Sequence, residues 1–178
     1  MSLQSQRLVN DTVVNVAQLM KELSGATRRV EVHLADLALD EDLTASDVEA
    51  HVRLTRTATG ILADGRVAGL AELECVRCTE RFTTAFDEPF DAEFAPTVDV
   101  RTGLPLPLPD DADDDVFMID HNHELDLTEI LRQVAILALP MQPLCREDCP
   151  GIGIAEEEEE PIDARLVVLG SLLDERAD

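Results

Sequence analysis

Tryptophan and tyrosine are absent from this 178-residue chain, and phenylalanine occurs only five times. Flat platforms on which unpaired bases stack are therefore scarce. Basic residues are few as well: 14 Lys and Arg stand against 38 Asp and Glu, a formal net charge of −24. A protein that grips phosphate backbones unaided needs a basic face, because counterion release supplies most of the affinity. This balance repels bare nucleic acid and anionic membrane alike, which argues against tight direct binding to either. No apolar run approaches the roughly 20 residues of a membrane span. The opening stretch, Met1 to Gln6, lacks the apolar core of a secretory signal, so a cytoplasmic location is expected. Enzyme signatures are missing too. There is no Gly-rich phosphate loop, no G-x-S-x-G and no H-E-x-x-H. The carboxylates come in solvated runs rather than in buried pairs with divergent pKa values, and Ser24, Ser46 and Ser171 have no recognisable base. The expectation is a non-enzymatic protein with no catalytic residues.

What is present is enough to fold. Hydrophobic residues make up 45% of the chain, and the length suits a single domain over residues 1–178. The charge is unevenly placed. Residues 1–90 carry −6, whereas residues 91–130 carry −11 and residues 145–163 carry −7. The body is mildly acidic and the excess sits in two segments. One holds Pro96, Pro105, Pro107 and Pro109 followed by five aspartates in residues 110–115, and residues 96–115 read as a flexible, exposed acidic loop. The other holds Glu156–Glu160, and residues 155–161 read as a Glu-rich linker. Such arms confer solubility by self-repulsion, or they steer a basic partner toward the scaffold.

Hydrophobic periodicity places the elements. Asn15 and Gln18 fit a capping box before a helix with Val16, Leu19, Met20 and Leu23 inward, closed by Gly25. Val30, Val32 and Leu34 alternate with Glu31 and His33 as a half-buried strand, and the acidic stretch Asp40–Asp47 reads as a turn. A further strand through Val52 and Leu54 leads to Asp64-Gly65, a strong hairpin dipeptide, with the return strand from Arg66 to Cys75. A third strand begins near Arg81, and Pro89 marks an edge or a break. The middle of the chain thus reads as an antiparallel meander. Val116–Ile119 suggests a short strand. Asp126-Leu127-Thr128-Glu129 resembles a capping box, followed by a helix with Leu127, Ile130, Leu131, Val134, Leu137 and Ala138 on one stripe and Pro140 as its stop. A last helix is expected over residues 162–175. The fold class expected is α+β: an antiparallel sheet or small open barrel with about three packed helices.

The sharpest chemical feature is the cysteines. Cys75 and Cys78 form a C-x2-C pair, Cys145 and Cys149 a C-x3-C pair, and 66 residues separate the two. C-x2-C in a tight turn aims two thiolates at one ion, and structural zinc takes four such ligands. Reducing cytoplasm favours metal over disulfide. The long separation leaves reduced cysteines without metal, or a disulfide formed on handling, as the competing reading, because zinc ribbons space their pairs by about 15–20 residues. A redox role for Cys75-x-x-Cys78 fits less well, since a strand rather than a helix is expected after the motif. His121 and His123 are alternative ligands, but their setting, Asp120-His121-Asn122-His123-Glu124, reads as an exposed polar turn. His33 and His51 read as solvated strand residues.

Several strings together resemble a known family. Leu73-Glu74-Cys75-Val76-Arg77-Cys78, then Phe82 and the acidic-aromatic stretch Phe86–Phe94, are similar to the central motif of the YceD family. So are Ile119-Asp120, Asp126-Leu127-Thr128-Glu129 and Ala138-Leu139-Pro140-Met141-Gln142-Pro143-Leu144-Cys145. The opening Asn15–Leu19 and the closing Pro161–Leu166 also resemble it. Members are called large ribosomal RNA subunit accumulation proteins. The resemblance implies a ribosome-biogenesis role in accumulating the large-subunit ribosomal RNA. Family genes often neighbour one for a small basic large-subunit protein, which implies a basic ribosomal protein or a pre-ribosomal particle as partner. It implies no catalytic residues. Related sequences often carry a second cysteine pair after the P-L-C-x-x-x-C segment, whereas here Cys149 leads through Pro150 and Gly151 to five glutamates. The ligands available for zinc are therefore Cys75, Cys78, Cys145 and Cys149. The alternative function is a zinc-stabilised protein-interaction module without a ribosomal role, and a thiol-dependent enzyme is the third.

Overall fold

The computed structural model describes residues 8–9, 12–107 and 116–152. The elements in chain order are β1 (Leu8–Val9), β2 (Val13–Asn15), α1 (Ala17–Lys21), β3 (Thr27–Asp40), β4 (Leu43–Arg56), β5 (Ile61–Glu74), β6 (Arg81–Pro96), β7 (Phe117–Ile119), β8 (Glu124–Asp126) and α2 (Thr128–Ala138). One sheet has the order β1-β3-β4-β5-β6-β7, and β2 pairs with β8 in a second, two-stranded sheet. The four long strands make the expected antiparallel meander. The flanking strands β1 and β7 are short and parallel to their neighbours.

The fold class expected from sequence needs correction. The protein is mostly β, a curled half-barrel plus a small sheet, and the described residues contain two helices rather than about three. One of the two, α1, is five residues long. Val16, Leu19 and Met20 do bury one apolar face, but that face is a single turn. Leu23 is exposed, and Gly25 (φ +93°) lies beyond the helix in the turn to β3. Asn15 Oδ1 accepts from the Ala17 amide at 3.2 Å, but the N-cap is Val16 and no side chain closes a capping box. The helix expected over 162–175, the Glu-rich linker at 155–161 and the aspartates of 110–115 lie outside the described residues.

Two turns are also misplaced by the sequence reading. Asp64 and Gly65 sit in the middle of β5, paired with Arg53 and Val52 of β4. The chain reverses instead at Thr57–Gly60, where the Gly60 amide donates to Thr57 Oγ1 at 2.9 Å and Arg56 Nη1 donates to the Thr57 and Gly60 carbonyls. Gly65 is required by close packing: a Cβ there would lie 2.1 Å from the His51 carbonyl oxygen. The acidic turn at Asp40–Asp47 contracts to Glu41-Asp42, and Asp47 (φ +50°) marks a bulge inside β4. That extra residue shifts the buried set from Ala45 to Val48, Ala50, Val52 and Leu54.

The concave side of the meander holds the core, and α2 packs into it. Leu127 and Leu131 are fully buried, with Ile130 and Ala135 beside them. Arg132 Nη1 donates to the Leu39 carbonyl at 2.9 Å, tying α2 to β3. Asp126 Oδ1 accepts from the Thr128 amide at 2.8 Å, but Glu129 turns to Arg132 instead of closing a capping box. Leu137, expected on the inward stripe, is 84% exposed because it falls on the solvent side of the last turn. Within the acidic loop expected at 96–115, residues 97–106 form a turn: Asp99 Oδ1 accepts from Arg101 and Thr102, and the Leu106 amide donates to the Thr97 carbonyl. The chain leaving α2 then returns across the end of the sheet to the β5–β6 turn.

Candidate metal centre

The β5–β6 turn is built around Cys75. Its amide donates to the Glu80 carbonyl at 2.9 Å, and the Thr79 amide returns to the Cys75 carbonyl at 2.9 Å. Thr79 (φ +60°) completes the tight reversal that brings Cys78 back beside Cys75. The segment after α2 is stitched to this turn by backbone contacts. The Val76 amide donates to the Pro143 carbonyl and the Ile152 amide to the Arg77 carbonyl, both at 3.0 Å. Arg77 Nη1 donates to the Cys149 carbonyl at 3.1 Å. Gly151 (φ +80°) supplies a left-handed residue that lies against Arg77, where a Cβ would stand 3.3 Å from its carbonyl oxygen.

These contacts bring all four expected ligands together, with their sulfurs within 4.8 Å of one another. Cys75 Sγ lies 3.8 Å from Cys149 Sγ, and Cys78 Sγ lies 3.7 Å from Cys145 Sγ. A disulfide needs about 2.05 Å. Four thiolates at about 2.3 Å from one tetrahedral ion stand about 3.8 Å apart. The two cross-pair distances therefore match the edge of a tetrahedral site. Cys75 and Cys149 are buried, whereas Cys78 and Cys145 are partly exposed.

The electrostatics point the same way. The Cys145 backbone amide, helped by those of Arg77 and Cys78, pulls the Cys75 thiol down to about 6 from its ordinary 9.0. Burial pushes Cys145 up to about 12, and the crowded thiols of Cys149, Cys78 and Cys75 add to this. At Cys78 the Glu80 backbone and the Cys145 thiol lower the value, but burial and the Cys75 and Cys149 thiols outweigh them and the net direction is up. One thiolate is stabilised in advance and further negative charge is resisted. A divalent cation removes that resistance, so the four cysteines could hold a metal ion.

His121 and His123 are not part of the cluster. His121 is exposed, and His123 (φ +62°) sits in the turn before β8 with its Nδ1 buried and unpartnered. His33 and His51 lie on the sheet surface beside Glu49 and Glu31. Sequence reasoning missed the parts played by Arg77 and Gly151. A glycine two residues after the last cysteine was the available signal.

The family model described as large ribosomal RNA subunit accumulation protein YceD matches residues 63–173. The chain belongs to the YceD family. The match begins inside β5 and so takes in both cysteine pairs. Membership implies a role in accumulation of the large ribosomal RNA subunit. No curated protein and no solved structure matches the chain. Among the described residues, no helix is long and apolar enough to cross a membrane.

Proposed function

We propose that this YceD-family protein is a non-enzymatic ribosome-biogenesis factor that supports accumulation of large-subunit ribosomal RNA by binding a basic ribosomal protein or a pre-ribosomal particle. The observation that carries the partner is the charge pattern. A body at −6 over residues 1–90 bears segments at −11 and −7, which attract a basic protein and repel bare RNA. The working compartment in this reading is the cytoplasm. Cys75, Cys78, Cys145 and Cys149 hold zinc, which supplies a structural cross-link rather than a reactive centre. Burial of Cys75, the best-stabilised thiolate, supports a structural role over thiol catalysis.

The test is capture with tagged full-length protein, first from its own cytoplasm and then against isolated basic ribosomal proteins and ribosomal RNA fragments. Salt-sensitive capture of basic large-subunit proteins is expected. Tight, salt-insensitive binding to RNA alone overturns the electrostatic argument, and capture of neither class removes the partner.

A further inference from the structure

Among the described residues, most of the strand β6 is paired on one side only. From Ile61↔Phe94 to Glu74↔Arg81 it runs in register with β5. On its other side β7 covers just Phe94 to Pro96. Among the described residues, no strand covers the outward edge from 82 to 93, a length of roughly 40 Å at about 3.3 Å per residue. One carbonyl in this stretch, that of Asp87, accepts from Arg66 Nη2 at 3.1 Å. An open edge of this length is a template for another strand unless its chemistry selects the partner.

Its chemistry is selective. Asp87, Glu88, Asp91 and Glu93 are all exposed along it. Asp87 is paired with Arg66, which Glu88 also attracts, whereas no salt bridge reaches Asp91 or Glu93 among the described residues. Glu88 shares the inward parity of Phe86 and Phe90, yet it is exposed while they are buried. An inward-pointing charge and a proline, Pro89, are the devices by which edge strands refuse their own kind. Two copies meeting at this edge would set carboxylate against carboxylate. A lysine- or arginine-bearing strand would meet complementary charge and backbone groups that no described strand pairs, interrupted at Pro89, which has no N–H, and at the Asp87 carbonyl.

We infer that the open edge of β6, residues 82–93, takes an extended, basic segment of a partner protein as an added strand. Main-chain hydrogen bonds supply the affinity and the acidic row supplies the choice of partner. This rests on the proposal that the partner is a basic protein and assigns the surface that meets it.

The experiment uses the full chain and a labelled Lys-Val alternating peptide of about twelve residues, read by fluorescence anisotropy. A second peptide of the same sequence carries an N-methyl group on every backbone amide, which keeps the charge and removes strand pairing along either edge. The methylated peptide is expected to bind at least about tenfold more weakly. The Asp91→Lys/Glu93→Lys protein, checked for native circular dichroism, is expected to lose a similar factor. Equal binding of both peptides, or no binding of either, overturns the edge. Capture of basic ribosomal proteins by wild type and by this variant separates the two claims. Equal capture by both overturns the edge and leaves the functional reading standing. Amide-dependent peptide binding without ribosomal capture supports the edge and removes that reading.

Discussion

Cys75 and Cys149, 74 positions apart in the chain, face each other with their sulfurs 3.8 Å apart. The approach is made by the backbone, because the Val76–Pro143 and Arg77–Ile152 hydrogen bonds lay the segment after α2 on the β5–β6 turn. The cluster therefore brings the β5–β6 turn and the segment after α2 together. Cys149→Ser is expected to abolish metal binding and to speed proteolysis within 140–152, while the meander keeps its circular dichroism. Limited proteolysis of wild type and variant checks this. Global unfolding of the variant would mean that the metal holds the sheet together rather than the clamp.

Leu131 and Leu137 lie on the same helix with opposite fates, the first fully buried and the second 84% exposed. Leu131→Ala leaves a cavity between α2 and the sheet and is expected to cost ~2–5 kcal/mol. Leu137→Ala is expected to stay within about 0.5 kcal/mol of wild type. Urea denaturation of both variants measures the difference, and equal losses would contradict the packing described.

At Gly65 the limit is space. Its Cβ position lies 2.1 Å from the His51 carbonyl oxygen, so Gly65→Ala must push β5 from β4. A loss of roughly 1–3 kcal/mol is expected. Gly103→Ala removes a different requirement, since nothing lies near its Cβ but its φ is +70°. Comparing thermal midpoints of Gly65→Ala with wild type is the check, and an unchanged midpoint would contradict the close approach.

Arg132, with Gln133, holds the Glu129 carboxyl at about 2, below its ordinary 4.5. A depressed carboxyl stabilises the fold above its unfolded value, and the gain is lost as pH falls from about 4.5 through about 2. Glu129 is 47% exposed, so the gain is small, under about 1 kcal/mol. Glu129→Gln is expected to melt slightly lower than wild type at pH 7, with the gap closing by about pH 2. Melting curves across that range test it, and a gap that persists at the acid end would contradict the assignment.

The meander and the helix around Leu131 were legible because period-2 and period-3.6 burial leave strong patterns at Val30, Val32, Val52, Leu54, Ile130 and Leu131. Asp64-Gly65 misled because a glycine demanded by a neighbouring strand looks, in sequence, like one demanded by a turn. The true reversal at Thr57–Gly60 relies on a threonine hydroxyl and the Arg56 guanidinium, which carry no strong turn signature. Leu137 shows that apolar spacing fixes a helical face but not how far the core extends along it. At the candidate site, cysteine spacing pointed to the four cysteines that the structure brings together. Their convergence depended on backbone pairing across a sheet end, which sequence spacing does not encode.

Cys75, Cys78, Cys145 and Cys149 could hold one metal ion, and zinc is the ion proposed. Native mass spectrometry of the full chain after purification without chelator or added metal tests it most directly, with thiol titration alongside. One zinc ion per chain, with thiols that react only after chelation, is the result expected. A metal-free chain with four freely titrating thiols would contradict the account.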